Sequence, residues 1–142
     1  MKRILVPFDG SESAQRAVNH AINMLKDSSK SDVEVHLLHI CEPLNLTTNP
    51  DYWRPEVQRS CFENGEKLLS RPKEAFEAIG ITPQCIVQMG YPHNAIPVYA
   101  RNMGCTEIIM GSRGMSPLTT FFVGSVATRV IQHVDCPITL VK

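Results

Sequence analysis

The chain carries no excess charge of either sign: Lys+Arg and Asp+Glu both number 14, so the net charge is zero with the histidines neutral. Without a basic surplus, nothing in the bulk electrostatics recruits nucleic acid or an anionic membrane, and neither is expected as a partner. Long apolar runs are missing as well. The opening Met1-Lys2-Arg3-Ile4-Leu5-Val6-Pro7 is basic and then apolar, but the run ends at Asp9. That is too short for a secretory core or for the ~20 residues of a spanning helix, so a cytoplasmic protein is expected. The five cysteines, Cys41, Cys61, Cys85, Cys105 and Cys136, are an odd set spaced 20 or more residues apart, with no C-x-x-C pair for zinc or thioredoxin-type chemistry. Buried, reduced thiols are the expectation. Eight Gly and ten Pro fall short of a fibrous or disordered bias.

What is present is 43% hydrophobic and 20% charged sequence over 142 residues, which suits one folded domain spanning residues 1–142. Area scalings give roughly 23,000 Å² for the extended chain and about 7,400 Å² folded, so about two-thirds of the surface is buried.

Ile4-Leu5-Val6-Pro7-Phe8 reads as a short strand, and Asp9-Gly10-Ser11-Glu12-Ser13 supplies turn formers, N-caps and acidic charge for a helix start. Ala14, Ala17, Val18, Ala21, Ile22 and Leu25 then keep one helical stripe. Val33 to Cys41 is a second strand, increasingly apolar as a strand covered on both faces should be. Asn45 to Pro55 reads as a long loop, and a helical period follows from Glu56 to Ile79. Pro72 predicts a kink or break near Ser70-Arg71, because an interior proline costs about 3 kcal/mol. Ile81 to Met89, Thr106 to Met110 and Pro137 to Val141 are three further strands. Helical faces lie between them around Ile96 to Met103 and Val123 to Val134. Strict alternation of strand and helix predicts an α/β fold: an open, doubly wound, five-stranded parallel sheet with helices on both faces. Such sheets bind ligands beyond the carboxyl ends of their strands, where the strand order reverses.

The most informative stretch is Gly111-Ser112-Arg113-Gly114, nine residues, then Gly124-Ser125 at a helix start. Gly111 and Gly114 let backbone N–H groups approach a phosphate or ribose, Gly124-Ser125 does so at a helix N-terminus, and Arg113 adds a positive charge. The alternative is that the glycines only shape a tight turn and Ser125 is only an N-cap. Asp9 likewise reads either as a ribose or Mg²⁺ neighbour or as a helix-start turn former. His36 and His39, at odd separation in a strand, point to opposite faces and do not chelate together. His133 complements a helix dipole. His39 and Cys41 share a face without a third catalytic partner, and Tyr52 and Trp53 read better as packing than as a ligand cover.

The spacing G-x2-G-x9-G-[S/T] at Gly111, Gly114 and Gly124-Ser125 resembles the signature of the universal stress protein (UspA-like) family. Ile4-Leu5-Val6-Pro7-Phe8-Asp9-Gly10-Ser11 resembles that family's first strand and turn, and His39-Ile40 its second strand end. Gly90-Tyr91-Pro92 resembles its third turn and Cys136-Pro137-Ile138-Thr139-Leu140-Val141 its final strand. The resemblance implies a Rossmann-like, adenine nucleotide alpha hydrolase-like sheet that holds ATP or AMP with Mg²⁺. It assigns Pro7, Asp9 and Ile40 to the adenine and ribose side. Met110, Gly111, Arg113, Gly114, Gly124, Ser125 and Val126 fall on the phosphate side. It further implies a homodimer through the last strand. Thr119-Thr120-Phe121-Phe122 and Pro97 depart from the family's usual residues.

Two functions compete: a nucleotide-binding stress-response regulator without rapid turnover, and a nucleotide-independent interaction module of the same fold. The intact glycine motif favours the first. An enzyme is not expected, since the Walker G-x-x-x-x-G-K-[S/T] and an H-x-G-H motif are missing and no base can be paired with a nucleophile. Gln88-Met89 stand where a phosphoacceptor receiver needs an acidic residue.

Overall fold

In the computed structural model, which describes residues 1–42, 54–113 and 123–142, strands and helices alternate from the first residues to the last. The order is β1 (Lys2–Pro7), α1 (Glu12–Leu25), β2 (Val33–Cys41), α2 (Pro55–Glu77), β3 (Gln84–Met89), α3 (Pro92–Asn102), β4 (Glu107–Gly111), α4 (Ser125–His133) and β5 (Ile138–Val141). All strand pairs are parallel and the sheet order is β3-β2-β1-β4-β5. Two apolar layers follow from the two-residue period of the strands. Ile4, Val6, Val35, Leu37 and Ile109 pack under Ala17, Val18 and Ala21 of α1 and Leu69 and Phe76 of α2. Leu5, Leu38, Ile40, Ile108 and Met110 pack under Ile96, Tyr99, Ala127 and Val130 of α3 and α4. The fold is therefore the expected doubly wound α/β sheet with helices on both faces. The long loop expected from Asn45 onward falls mostly outside the described residues, as do Tyr52 and Trp53; its last residue, Pro55, opens α2.

Two expectations are corrected. No break occurs at Pro72: α2 is one helix of 23 residues that runs through it. The helix presents Leu69, Pro72 and Phe76 to the sheet as buried residues. Burying Leu69 and Phe76 contributes about 2 kcal/mol each, which offsets a proline cost of about 3 kcal/mol. The cysteines are not all buried thiols. Cys41 at the end of β2 and Cys61 in α2 form a disulfide with Cα atoms 6.1 Å apart, while Cys85 is exposed and Cys136 half-buried, leaving Cys105 as the one buried free thiol. Helix α2 lies close enough for the pairing because Gly65 meets the sheet without a side chain. A Cβ there would sit 2.6 Å from Val87 Cγ1 and 3.1 Å from His39 Cδ2.

The two strand histidines do face opposite ways. His39 lies under α2 and its Nδ1 is 2.9 Å from the Phe8 carbonyl oxygen. His36, fully buried on the α3 side, joins a polar chain at the amino ends of the strands. Its Nε2 is 2.8 Å from Glu34 Oε1 and its Nδ1 2.6 Å from the Tyr99 hydroxyl. Glu34 also accepts from Arg3 Nε at 2.9 Å and from the Gln84 amide. In the tautomer with Nε2–H donating to the carboxylate, Nδ1 accepts from Tyr99. Burial pushes the Tyr99 hydroxyl up to about 12, which keeps its proton in place for that role. The hydrogen bond from Arg3, and then that from His36, holds the Glu34 carboxyl below its ordinary value.

A carboxyl with a lowered folded pKa stabilises above its unfolded value of about 4.3 and loses that contribution as pH falls through the folded one. Glu34→Gln should lower Tm at pH 7 by roughly 3–6 °C, for about 1–2 kcal/mol of charge-assisted bonding. The gap to the wild type should narrow below pH 4. Calorimetric melts from pH 7 to 3 check this, and a gap that stays constant across the range overturns it.

Candidate functional site

The strand order reverses between β1 and β4, and the chain leaves both strands with turn chemistry rather than apolar residues. After β1, the Asp9 carboxylate accepts the Ser11 N–H at 2.9 Å, Gly10 takes φ +82°, and Ser11 Oγ caps α1 by accepting the Ala14 N–H at 3.1 Å. After β4, the Ser112 N–H donates to the Val141 carbonyl at 2.8 Å and the Arg113 N–H to Ser13 Oγ at 3.2 Å. The Gly124 N–H donates back to the Ser112 carbonyl at 2.6 Å, which returns the chain to the same place and starts α4 there.

These turns enclose a cleft of about 510 Å³, within the usual size of small-molecule sites. Of the ten residues singled out in the sequence, nine line it: Pro7, Asp9, Ile40, Met110, Gly111, Arg113, Gly124, Ser125 and Val126. Gly114 lies outside the described residues. The lining combines the apolar side chains of Pro7, Leu38, Ile40, Ile96 and Met110 with Asp9, Arg113 and the start of α4. The α4 N-cap is Gly124, which has no side chain to cap the helix, and Ser125, Val126 and Ala127 of its first turn line the cleft. That removes the reading of Ser125 as an N-cap and sets the positive dipole end of α4 beside the cavity. Asp9, in turn, serves as a turn former and lines the cleft, so its two readings do not exclude each other.

Gly111 needs a different explanation from the one its spacing offered. A Cβ there would lie 2.2 Å from Ser13 Oγ and 2.7 Å from the Ser13 carbonyl carbon, so its lack of a side chain admits the start of α1. Sequence reasoning missed the wall made by His39, Cys41 and Glu42 at the end of β2 and by Pro92 and Ile96 of α3. The one available signal was that these residues lie at, or just beyond, the carboxyl end of a strand. Among the described residues no three His, Cys, Asp or Glu side chains gather to hold a metal ion. Asp9 and Glu42 do line the cleft, and Mg²⁺ bound through phosphates needs only one or two carboxylates. A smaller cavity of about 300 Å³, lined by Cys105, His133 and Cys136 among others, lies at the other end of the sheet. Burial pushes the Cys105 thiol up to about 11 and raises that of Cys136. Among the described residues no helix is long and apolar enough to cross a membrane.

Fold and cleft together define a doubly wound α/β protein with a cleft at its switch point. The Universal stress protein family model matches residues 1–142, and the chain belongs to that family. Universal stress protein MJ0531 of Methanocaldococcus jannaschii is 31% identical over 99% of this chain and 82% of its own length. The solved structure of MJ0577 from the same organism is 30% identical, covers 99% of this chain and 95% of its own, and superposes with a TM-score of 0.87. A family member from Arabidopsis thaliana, solved with AMP bound, is 20% identical with a TM-score of 0.74, over 100% of this chain and 92% of its own.

Gly111→Ala should push the start of α1 off β4. The overpacking cost of about 1–3 kcal/mol should lower Tm by roughly 3–9 °C. Amide exchange should show loss of protection at Ala14 and Arg113. An unchanged melt and unchanged exchange would refute the close-approach reading.

Proposed function

We propose that this protein is a stress-response regulator that binds ATP, or AMP, with Mg²⁺ in the switch-point cleft and does not turn it over rapidly. The observation that carries this is the cleft's mixed lining: apolar side chains suited to a flat base, together with the start of α4 and Arg113, suited to phosphates. AMP in the Arabidopsis relative supports the same ligand class. Pro7, Asp9 and Ile40 serve the adenine and ribose side. Met110, Gly111, Arg113, Gly124, Ser125 and Val126 serve the phosphates, and Gly114 joins them on the strength of the motif. Slow turnover is supported by the sequence, in which neither a Walker G-x-x-x-x-G-K-[S/T] nor an H-x-G-H motif occurs. The cytoplasm is the compartment this reading requires.

Ligand-stripped protein should bind ATP with Mg²⁺ calorimetrically. At 100 times the dissociation constant the ligand adds about 2.7 kcal/mol, a Tm rise of roughly 8 °C. Ser125→Ala should weaken binding by about 1 kcal/mol, and Asp9→Ala should weaken it when the carboxylate meets ribose or metal. No heat and no shift at millimolar ATP would replace this reading with the nucleotide-independent interaction module.

We further propose a homodimer through β5. That strand stands at the sheet edge, hydrogen-bonded on one side to β4, with Ile138 and Leu140 only half-buried. An unpaired ladder with apolar neighbours is a site for two-fold strand pairing. Sedimentation at tens of micromolar should give about twice the 15.9 kDa chain mass; a clean monomer would refute the pairing.

A further inference from the structure

Cys41 is the last residue of β2, it is half-buried, and it lines the cleft. Cys61, 7% exposed, sits on the sheet-facing side of α2, and the disulfide joins the two across a sequence separation of 20. The bridge therefore fastens the cleft lining at Ile40, Cys41 and Glu42 to α2. The Cys41 carbonyl also accepts the Gly90 N–H at 3.1 Å, so the same residue anchors the turn leading to Pro92 of that lining.

We propose that Cys41–Cys61 is a reversible dithiol–disulfide site that sets the ligand affinity of the cleft, with a dithiol as its reductant. This rests on the nucleotide reading above. A reductant thiolate attacks Sγ of Cys41, the more exposed half; the Cys41–Cys61 bond breaks, and Cys61 leaves as a thiolate and takes a proton. The second reductant thiol then attacks its own sulfur in the mixed disulfide and frees Cys41. Two electrons and two protons pass to the protein, and the reductant ends as a disulfide. Burial raises the thiols of Cys85, Cys105 and Cys136, which lowers their thiolate fraction.

The direction follows from preorganisation. With the bridge intact, Cys41 and the lining beside it are held in place before ligand arrives; once it is reduced, that lining regains freedom that binding must remove. The reduced form binds more weakly. Reciprocity requires that bound nucleotide disfavour reduction by the same factor.

The test uses the full chain, equilibrated with glutathione disulfide or with dithiothreitol, with thiols located by differential alkylation and mass spectrometry. The oxidised protein should show three free thiols and the reduced protein all five. ATP with Mg²⁺ should bind about fivefold or more weakly to the reduced form. Cys61→Ala, checked for folding by its melt, should show the weaker affinity in both buffers. Saturating ATP should shift the dithiol-to-disulfide midpoint toward the disulfide by the same factor. Equal affinities in the two states, or five reactive thiols after oxidation, would overturn the proposal. A change from three to five thiols with no ATP binding in either state would refute both the nucleotide reading and the coupling, whereas tight, redox-indifferent binding would refute the coupling alone.

Discussion

One buried hydroxyl holds the functional end of this molecule together. Ser13, 4% exposed near the start of α1, accepts the Arg113 N–H at 3.2 Å and donates to the Val141 carbonyl at 3.3 Å. It can do so because Gly111 has no Cβ: the position that atom would take is 2.2 Å from Ser13 Oγ. One side chain therefore ties the helix after β1 to the residues that end β4 and β5. The spacing between the ends of β1 and β4 follows from that contact, and with it the width of the cleft. The Asp9 turn, the Ser11 cap and the return of Gly124 to Ser112 are each local, and each is placed by the same junction.

How much of this could be read from the chain depends on the range of the interaction. Elements written by local periodicity were legible: β2 runs from Val33 to Cys41 as expected, and α1 carries the Ala14 to Leu25 stripe. The site residues were legible in large part because turn formers cluster at strand ends. Asp9, Gly111, Arg113 and Gly124 lie far apart in sequence yet close together once parallel strands share one carboxyl edge. The strand order was not legible, since alternation alone permits several. Nor were the lining residues His39, Cys41 and Glu42 around the expected Ile40, which carry no turn signal beyond their position.

The remaining misses share a cause. Cys41 and Cys61 pair only because Gly65 lets α2 settle onto β2 and β3, a fact held in the rotation of a helix against a sheet and not in any spacing of cysteines. Pro72 was weighed as a local cost, and the burial of Leu69 and Phe76 on the same helix face outweighs it. The chain of Arg3, Glu34, His36 and Tyr99 spans sequence separations of 31 and 63 residues, so no window of local pattern contains it.

That chain also shows why the two ends of the sheet do different things. At the amino ends of the strands, polar groups answer one another: arginine and histidine share one carboxylate, and the histidine's second nitrogen meets a tyrosine hydroxyl. Among the described residues no buried side-chain nitrogen or oxygen is left without a hydrogen bond. Such an end has little to offer a ligand, because each donor already has its acceptor. At the carboxyl ends the pattern is the reverse. The first turn of α4 begins at a glycine with no capping oxygen, beside apolar side chains and an arginine. The N–H groups of a helix's first turn have no partner within the helix, and a glycine N-cap offers them no side-chain oxygen. The same sheet thus concentrates internal satisfaction at one end, where it stabilises the fold, and sets the start of a helix beside the cleft at the other.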